Sequence, residues 1–220
     1  MITTDRTLGE LARNIPGASQ IFHEYSLRFC CGGDLSLGEA ASAKGLDPQT
    51  LIDQLEALPQ ESDSRDWSQA SREELIEFIL TRYHDVHRDQ FPEMIRLAER
   101  VERVHGGHVE CPSGLANHLI QMEDALETHM QKEEEMLFPM LARGMSGIAT
   151  QPVELIRHEH GEQAEAIRKL ERLTHNVTPP ADACNTWHAL YAGVAQFRRD
   201  LMEHIHLENN VLFADLPASA

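Results

Sequence analysis

Between residues 84 and 208 one pattern occurs twice: a histidine, a long interval, then His-x-x-x-Glu. His84 is followed 45 residues later by His129 and then Glu133, and His160 is followed 44 residues later by His204 and then Glu208. The surroundings repeat as well. Leu126, His129, Glu133, Leu137, Phe138 and Leu141 recur as Leu201, His204, Glu208, Leu212, Phe213 and Leu216. Residues four apart share one face of a helix, and here that face is apolar. Met122, Leu126, Met136, Leu137 and Met140 surround the first pair, and Val194, Phe197, Leu201, Val211 and Leu212 the second. A carboxylate on a buried stripe is costly unless something compensates it, and a cation would. His84 and His160 also sit on apolar stripes, the first with Leu80, Tyr83, His87 and Phe91, the second with Ile156, Ala164 and Ile167.

Punctuation divides the chain into helices that can carry these residues. Ser71-Arg72-Glu73-Glu74 has the spacing of a capping box and starts a long segment that ends near His105-Gly106-Gly107-His108. Pro112-Ser113 opens a second segment, ended by Arg143-Gly144. Gln151-Pro152 opens a third, which stops near Asn176. The run 179–182 opens a fourth, closed by Leu216-Pro217. Neither strict alternation nor β-branched runs mark a strand. The expected fold is all-α, an up-down-up-down four-helix bundle over 71–216, with a kink at Pro92. The stretch 59–70 reads as a polar linker, and 1–58 as a small domain of short helices. In that domain Leu8, Leu11 and Ala12 share a face, Pro16 opens a helix to about Tyr25, and Ser36 with Glu39 forms a capping box. Asp47-Pro48 starts a last helix.

Four imidazoles and two carboxylates at one level of a bundle exceed the four ligands that close a single zinc. Two metals share them well if each takes two imidazoles and both glutamates bridge. One oxo or hydroxo bridge then leaves each octahedral ion a single open position. Imidazole with carboxylate suits iron and admits manganese or zinc, so two iron ions are the expected cofactor. Spacing allows each iron one histidine from each repeat or two from a single repeat. His87, His158 and His206 neighbour proposed ligands without a matched partner in the repeat. Glu159, beside His160, either orients a ligand or is a solvated helix glutamate.

The net charge of −17 excludes a polyanion as a natural partner, because affinity for nucleic acid comes mainly from Lys and Arg. No uncharged apolar run reaches about 18 residues and the N-terminus lacks a signal-peptide pattern, so a cytoplasmic protein without membrane contact is expected. The four cysteines then read as thiols. Adjacent Cys30 and Cys31 precede two glycines that force a turn. They read as thiols for redox exchange, metal capture or contact with a thiol-containing partner, or as small hydrophobes at a turn. Cys111 and Cys184 have no partner in the sequence pattern. A homodimer is compatible with all of this.

The bundle with His84, His129, Glu133, His160, His204 and Glu208 resembles a hemerythrin-type domain. It departs from hemerythrins proper, which carry a fifth histidine and an aspartate among their ligands. The segment with Leu8-Gly9-Glu10-Leu11 and Phe29-Cys30-Cys31-Gly32-Gly33 is similar to the short domain that precedes it in the bacterial Ric proteins (repair of iron centres). Tyr83-His84-Asp85, Glu133-Glu134, Leu137-Phe138-Pro139 and Leu207-Glu208-Asn209-Asn210 extend the resemblance over nearly the whole chain, with Ala214 a departure at the position that matches Pro139. The resemblance implies a stress protein that restores damaged iron–sulfur proteins, with the six ligands carried over one by one. Iron donation to damaged clusters is the first reading of its activity. Reduction of nitric oxide to nitrous oxide at the di-iron site is an alternative, and an oxygen or nitric oxide sensor a further one.

Overall fold

The computed structural model describes residues 2–15, 17–27, 29–30, 33–58, 67 and 70–216. Among them every regular element is helical, apart from a single antiparallel bridge between Thr7 and Ser36. The all-α expectation is met. Two compact bodies result, one made by the chain up to Leu75 with Met202–Pro217, the other by Ile76–Leu201.

The first body is built from four short helices whose ends are written into the sequence. Thr7 caps α1 (Leu8–Asn14), its side chain accepting from the Glu10 amide at 3.2 Å. After α2 (Ala18–Glu24), Ser36 and Glu39 form the expected capping box on α3 (Leu37–Lys44), which ends on Gly45 at φ 66°. Asp47 caps α4 (Pro48–Glu56) with Pro48 in its first turn. Pro16, the expected opener of α2, and most of the linker lie outside the described residues. Leu8, Leu11, Phe22, Phe29, Leu37 and Leu51 are fully buried, each contributing about 1.5–3 kcal/mol of apolar burial.

The C-terminal stretch of this body is tied to Phe29 and Cys30. Asn209 Nδ2 donates to the Cys30 carbonyl at 2.9 Å, Asn210 Nδ2 to the Phe29 carbonyl at 3.3 Å, and Arg13 to the Asn210 carbonyl at 3.1 Å. Glycine is required here by contact: a Cβ on Gly9 would meet Asn210 Oδ1 at 2.6 Å, and one on Gly33 would meet it at 2.8 Å.

In the rest of the chain, α5 (Arg72–Ile79) starts at the expected capping box, with Ser71 N bonded to Glu74 and the Glu74 amide to Ser71 Oγ. A π-turn over Leu80–His84 leads directly into α6 (Asp85–His105), which continues unbroken through Pro92. The π-turn ends eight residues before the proline. Helix α7 (Leu115–Lys132) passes through a second π-turn, Glu133–Leu137, into α8 (Phe138–Ala142). Then come α9 (Thr150–Leu173) and α10 (Asn185–Leu207), the latter followed by a third π-turn, Glu208–Leu212.

Within Ile76–Leu201, α6 packs along α7 and α7 along α9, as short connections between antiparallel neighbours favour. Phe91, Met94 and Val101 of α6, Leu119 and Leu126 of α7, Ile156 and Leu170 of α9, and Val194 and Phe197 of α10 are buried. Along each helix they lie three, seven or fourteen residues apart, spacings that return to one face of an amphipathic helix. No described helix is long and apolar enough to cross a membrane.

Candidate metal centre

Three of the six predicted ligands sit at π-turns: His84 closes the first, Glu133 opens the second and Glu208 opens the third. Such insertions are frequent at functional sites because they re-aim side chains without ending the helix. His129, His160 and His204 lie in regular α-helix. None of the six is more than 1% exposed.

The Glu133 carboxylate faces two rings, one per oxygen. Oε2 lies 3.4 Å from His84 Nε2, and Oε1 lies 3.4 Å from His129 Nε2. His204 Nε2 lies 3.1 Å from Glu208 Oε1, and the rings of His129 and His160 meet edge-on with centroids 4.9 Å apart. Two sets of four side chains, His84–Glu133–His204–Glu208 and His129–Glu133–His160–Glu208, each bring one ligand atom per residue within 4.8 Å of the others. The sets share both glutamates, and each draws one histidine from each repeat.

Outside these sets, further carboxylates fix the orientation of two rings. His84 Nδ1 lies 2.7 Å from Glu134 Oε1, and His129 Nδ1 lies 2.8 Å from Glu159 Oε2. Arg88 holds Glu134 at 2.9 Å, and Lys132 pairs closely with Glu159. The hydrogen bond from His129, helped by Lys132, holds the Glu159 carboxyl down at about 2 although burial opposes it. A carboxylate only accepts, so each Nδ1 must be the donor. In the neutral ring this leaves a lone pair on Nε2, aimed at Glu133. Imidazole with carboxylate is a donor set for iron, manganese or zinc. The residues present therefore fit a bound metal. Phe138 stacks on the His84 ring at 5.7 Å and closes that side with an apolar wall.

The other residues singled out by sequence lie elsewhere. His87 is buried on α6, with Nδ1 3.2 Å from Gln90 Oε1 and its ring edge-on to Phe197, in neither set. His158 is exposed near Glu162. His206 packs against Phe29 and bonds Asn210 at 2.9 Å, and burial, with the nearby Arg13 charge, pushes its imidazole down to about 4. Cys30 is buried, and Cys31 lies outside the described residues. Cys184 Sγ lies 3.2 Å from His105 Nε2. Glu134 is the functional-looking residue that sequence reasoning passed over. Its signal was adjacency to Glu133, which on a helix reads as a solvated neighbour.

A family model described as the hemerythrin HHE cation binding domain matches residues 75–216, and one described as a domain of unknown function (DUF542) matches residues 4–59. The chain is 50% identical over 214 residues to the iron-sulfur cluster repair protein YtfE of Pectobacterium carotovorum, covering 97% of each. It is 48% identical to that of Edwardsiella ictaluri over the same share of both chains. To that of Yersinia pseudotuberculosis it is 49% identical, over 95% of each.

Proposed function

Because the chain belongs to the hemerythrin HHE cation-binding family and, along nearly its whole length, to the family of iron-sulfur cluster repair proteins YtfE, we propose that it is a di-iron protein of oxidative and nitrosative stress that repairs damaged iron–sulfur clusters by donating iron to them. In this reading His84 and His204 would hold one iron and His129 and His160 the other, with Glu133 and Glu208 available to both. The observation that carries it is the sharing of both glutamates between two four-residue sets. One mononuclear site would need only one set.

Iron bound there contributes a labile, redox-active cation, and it is also the cargo. The chain's own residues make it exchangeable: imidazole and carboxylate hold iron less firmly than the thiolates and sulfides of an acceptor cluster. Glu134 and Glu159 keep Nδ1–H of His84 and His129 occupied, so that Nε2 is the atom offered to metal. The charge of −17 attracts cations over the whole surface. The partners in this reading are damaged iron–sulfur proteins in the cytoplasm.

Metal analysis with the visible spectrum, followed by incubation with an apo-cluster acceptor, tests it. The expected result is about two irons per chain and their loss to the acceptor. One zinc per chain would overturn the di-iron assignment. Retention of both irons under reducing conditions would overturn donation, and nitrous oxide formed from nitric oxide by the reduced protein would replace it with gas reduction.

A further inference from the structure

A cleft of about 410 Å³ runs between α7 and α9, with Phe197 and Leu201 of α10 also lining it. On α7 it extends from His118 to Lys132, a distance of roughly 20 Å at the helical rise. Met122, Leu126, Phe197 and Leu201 make its wall largely apolar, and Lys132 pairs with Glu159 toward the end near His129.

Two polar side chains in this cleft are left incomplete by the protein. Gln163 is 8% exposed, and neither Oε1 nor Nε2 of its carboxamide has a hydrogen-bond partner. His118 is 4% exposed. Its Nε2 lies 2.9 Å from the Ala166 carbonyl, while Nδ1 has no partner. A carbonyl only accepts, so Nε2 carries the proton and Nδ1 offers a lone pair. Burial pushes this imidazole down, with the charges of Lys169 and Arg172 adding to the effect, so the ring is neutral near pH 7. Ala166 is one turn beyond Gln163, and both groups line the same cleft. A buried amide without partners is costly, and a bound molecule that completed it would recover that cost.

The free atoms define the complement. A carboxamide pairs reciprocally with a cis-amide edge, N–H to Oε1 and C=O to Nε2. The His118 lone pair asks for one more donor, and an apolar wall disfavours a charged body. The volume lies within the range for small organic ligands. We propose that the α7–α9 cleft is a binding site for a neutral, flat organic molecule with a lactam or ureide edge, anchored by Gln163 and His118 and lying against Met122, Leu126 and Phe197. The site does not depend on the metal assignment, although it reaches His129.

The probe is quinazolin-4-one, titrated into the full-length, metal-loaded protein by calorimetry and compared with 3-methylquinazolin-4-one, which has the same rings but no lactam N–H. Expected is saturable binding of the first, at least ten-fold tighter than the second. The pair is measured on the unaltered protein, so no variant has to fold. A Gln163→Leu protein with unchanged thermal midpoint should then bind both probes equally. Equal binding of the two probes by the unaltered protein would overturn the proposal, and so would no binding of either or undiminished lactam binding by Gln163→Leu.

Discussion

Two carboxylates are buried within Ile76–Leu201, Asp200 and Glu133, and they are kept there by opposite means. Asp200 is compensated by protein alone. Arg82 donates to it at 2.7 Å, Gln90 at 2.9 Å and Gln196 at 3.0 Å. Burial tends to raise its carboxyl, but these three donors outweigh it and the net shift is downward. Glu133 instead faces the Nε2 atoms of two histidines whose other nitrogens are committed to carboxylates. A buried charge surrounded by donors is a structural solution. One set against two imidazoles instead has the neighbours of a metal ligand.

The sharpest way to break this contrast is Glu133→Ala. It should lower bound iron from about two per chain to below one, because both sets lose a shared ligand, and metal analysis reads the change directly. If two irons remained, the contrast would be empty. Next come Glu134→Gln and Glu159→Gln, which keep the shape but remove the carboxylates that orient His84 and His129. Loss of such an orienting group costs about 10–100-fold in metal affinity, measurable by chelator competition.

Asp200→Asn should leave metal content unchanged and destabilise the fold by about 1–3 kcal/mol at neutral pH, the usual worth of hydrogen bonds to a charged group. Its sign with pH is fixed. The folded carboxyl titrates below the unfolded one, so its contribution is present above about pH 4 and is lost as pH falls through the lower folded value. Urea unfolding at pH 7 and near pH 3 should show the gap between the two proteins closing in acid. The smallest effect is a reversal of sign. In the metal-free protein Glu133→Met should be neutral or stabilising by about 1 kcal/mol, since replacing a buried ionic group by an apolar side chain of similar volume removes its desolvation cost. Destabilisation in the same unfolding assay would mean that protein groups already satisfy Glu133.

The sequence carried the helices because their ends use local chemistry: Ser36 with Glu39, Ser71 with Glu74, and Asp47 before Pro48 all form as their spacing requires. It also carried the six convergent residues, since burial of His and Glu on apolar stripes shows as periodicity. Which histidine joins which set was not legible, because His84 and His204, or His129 and His160, meet only through the packing of separate helices. Glu134 was hidden for a related reason: its role comes from the ring of His84, fifty residues away in sequence. Helical periodicity is equally blind to a π-turn, so nothing in the spacing marks Leu80–His84.

The π-turns also set a limit on redesign. Each accommodates one residue more than an α-turn would, which rotates everything downstream by roughly 100° relative to the upstream face. Deleting one residue from Glu133–Leu137 would give a straighter helix with better internal hydrogen bonds. It would also turn Phe138 away from the His84 ring and carry the buried Leu141 toward solvent. A consensus or idealised helix at this point would gain local regularity and lose the wall of the metal pocket.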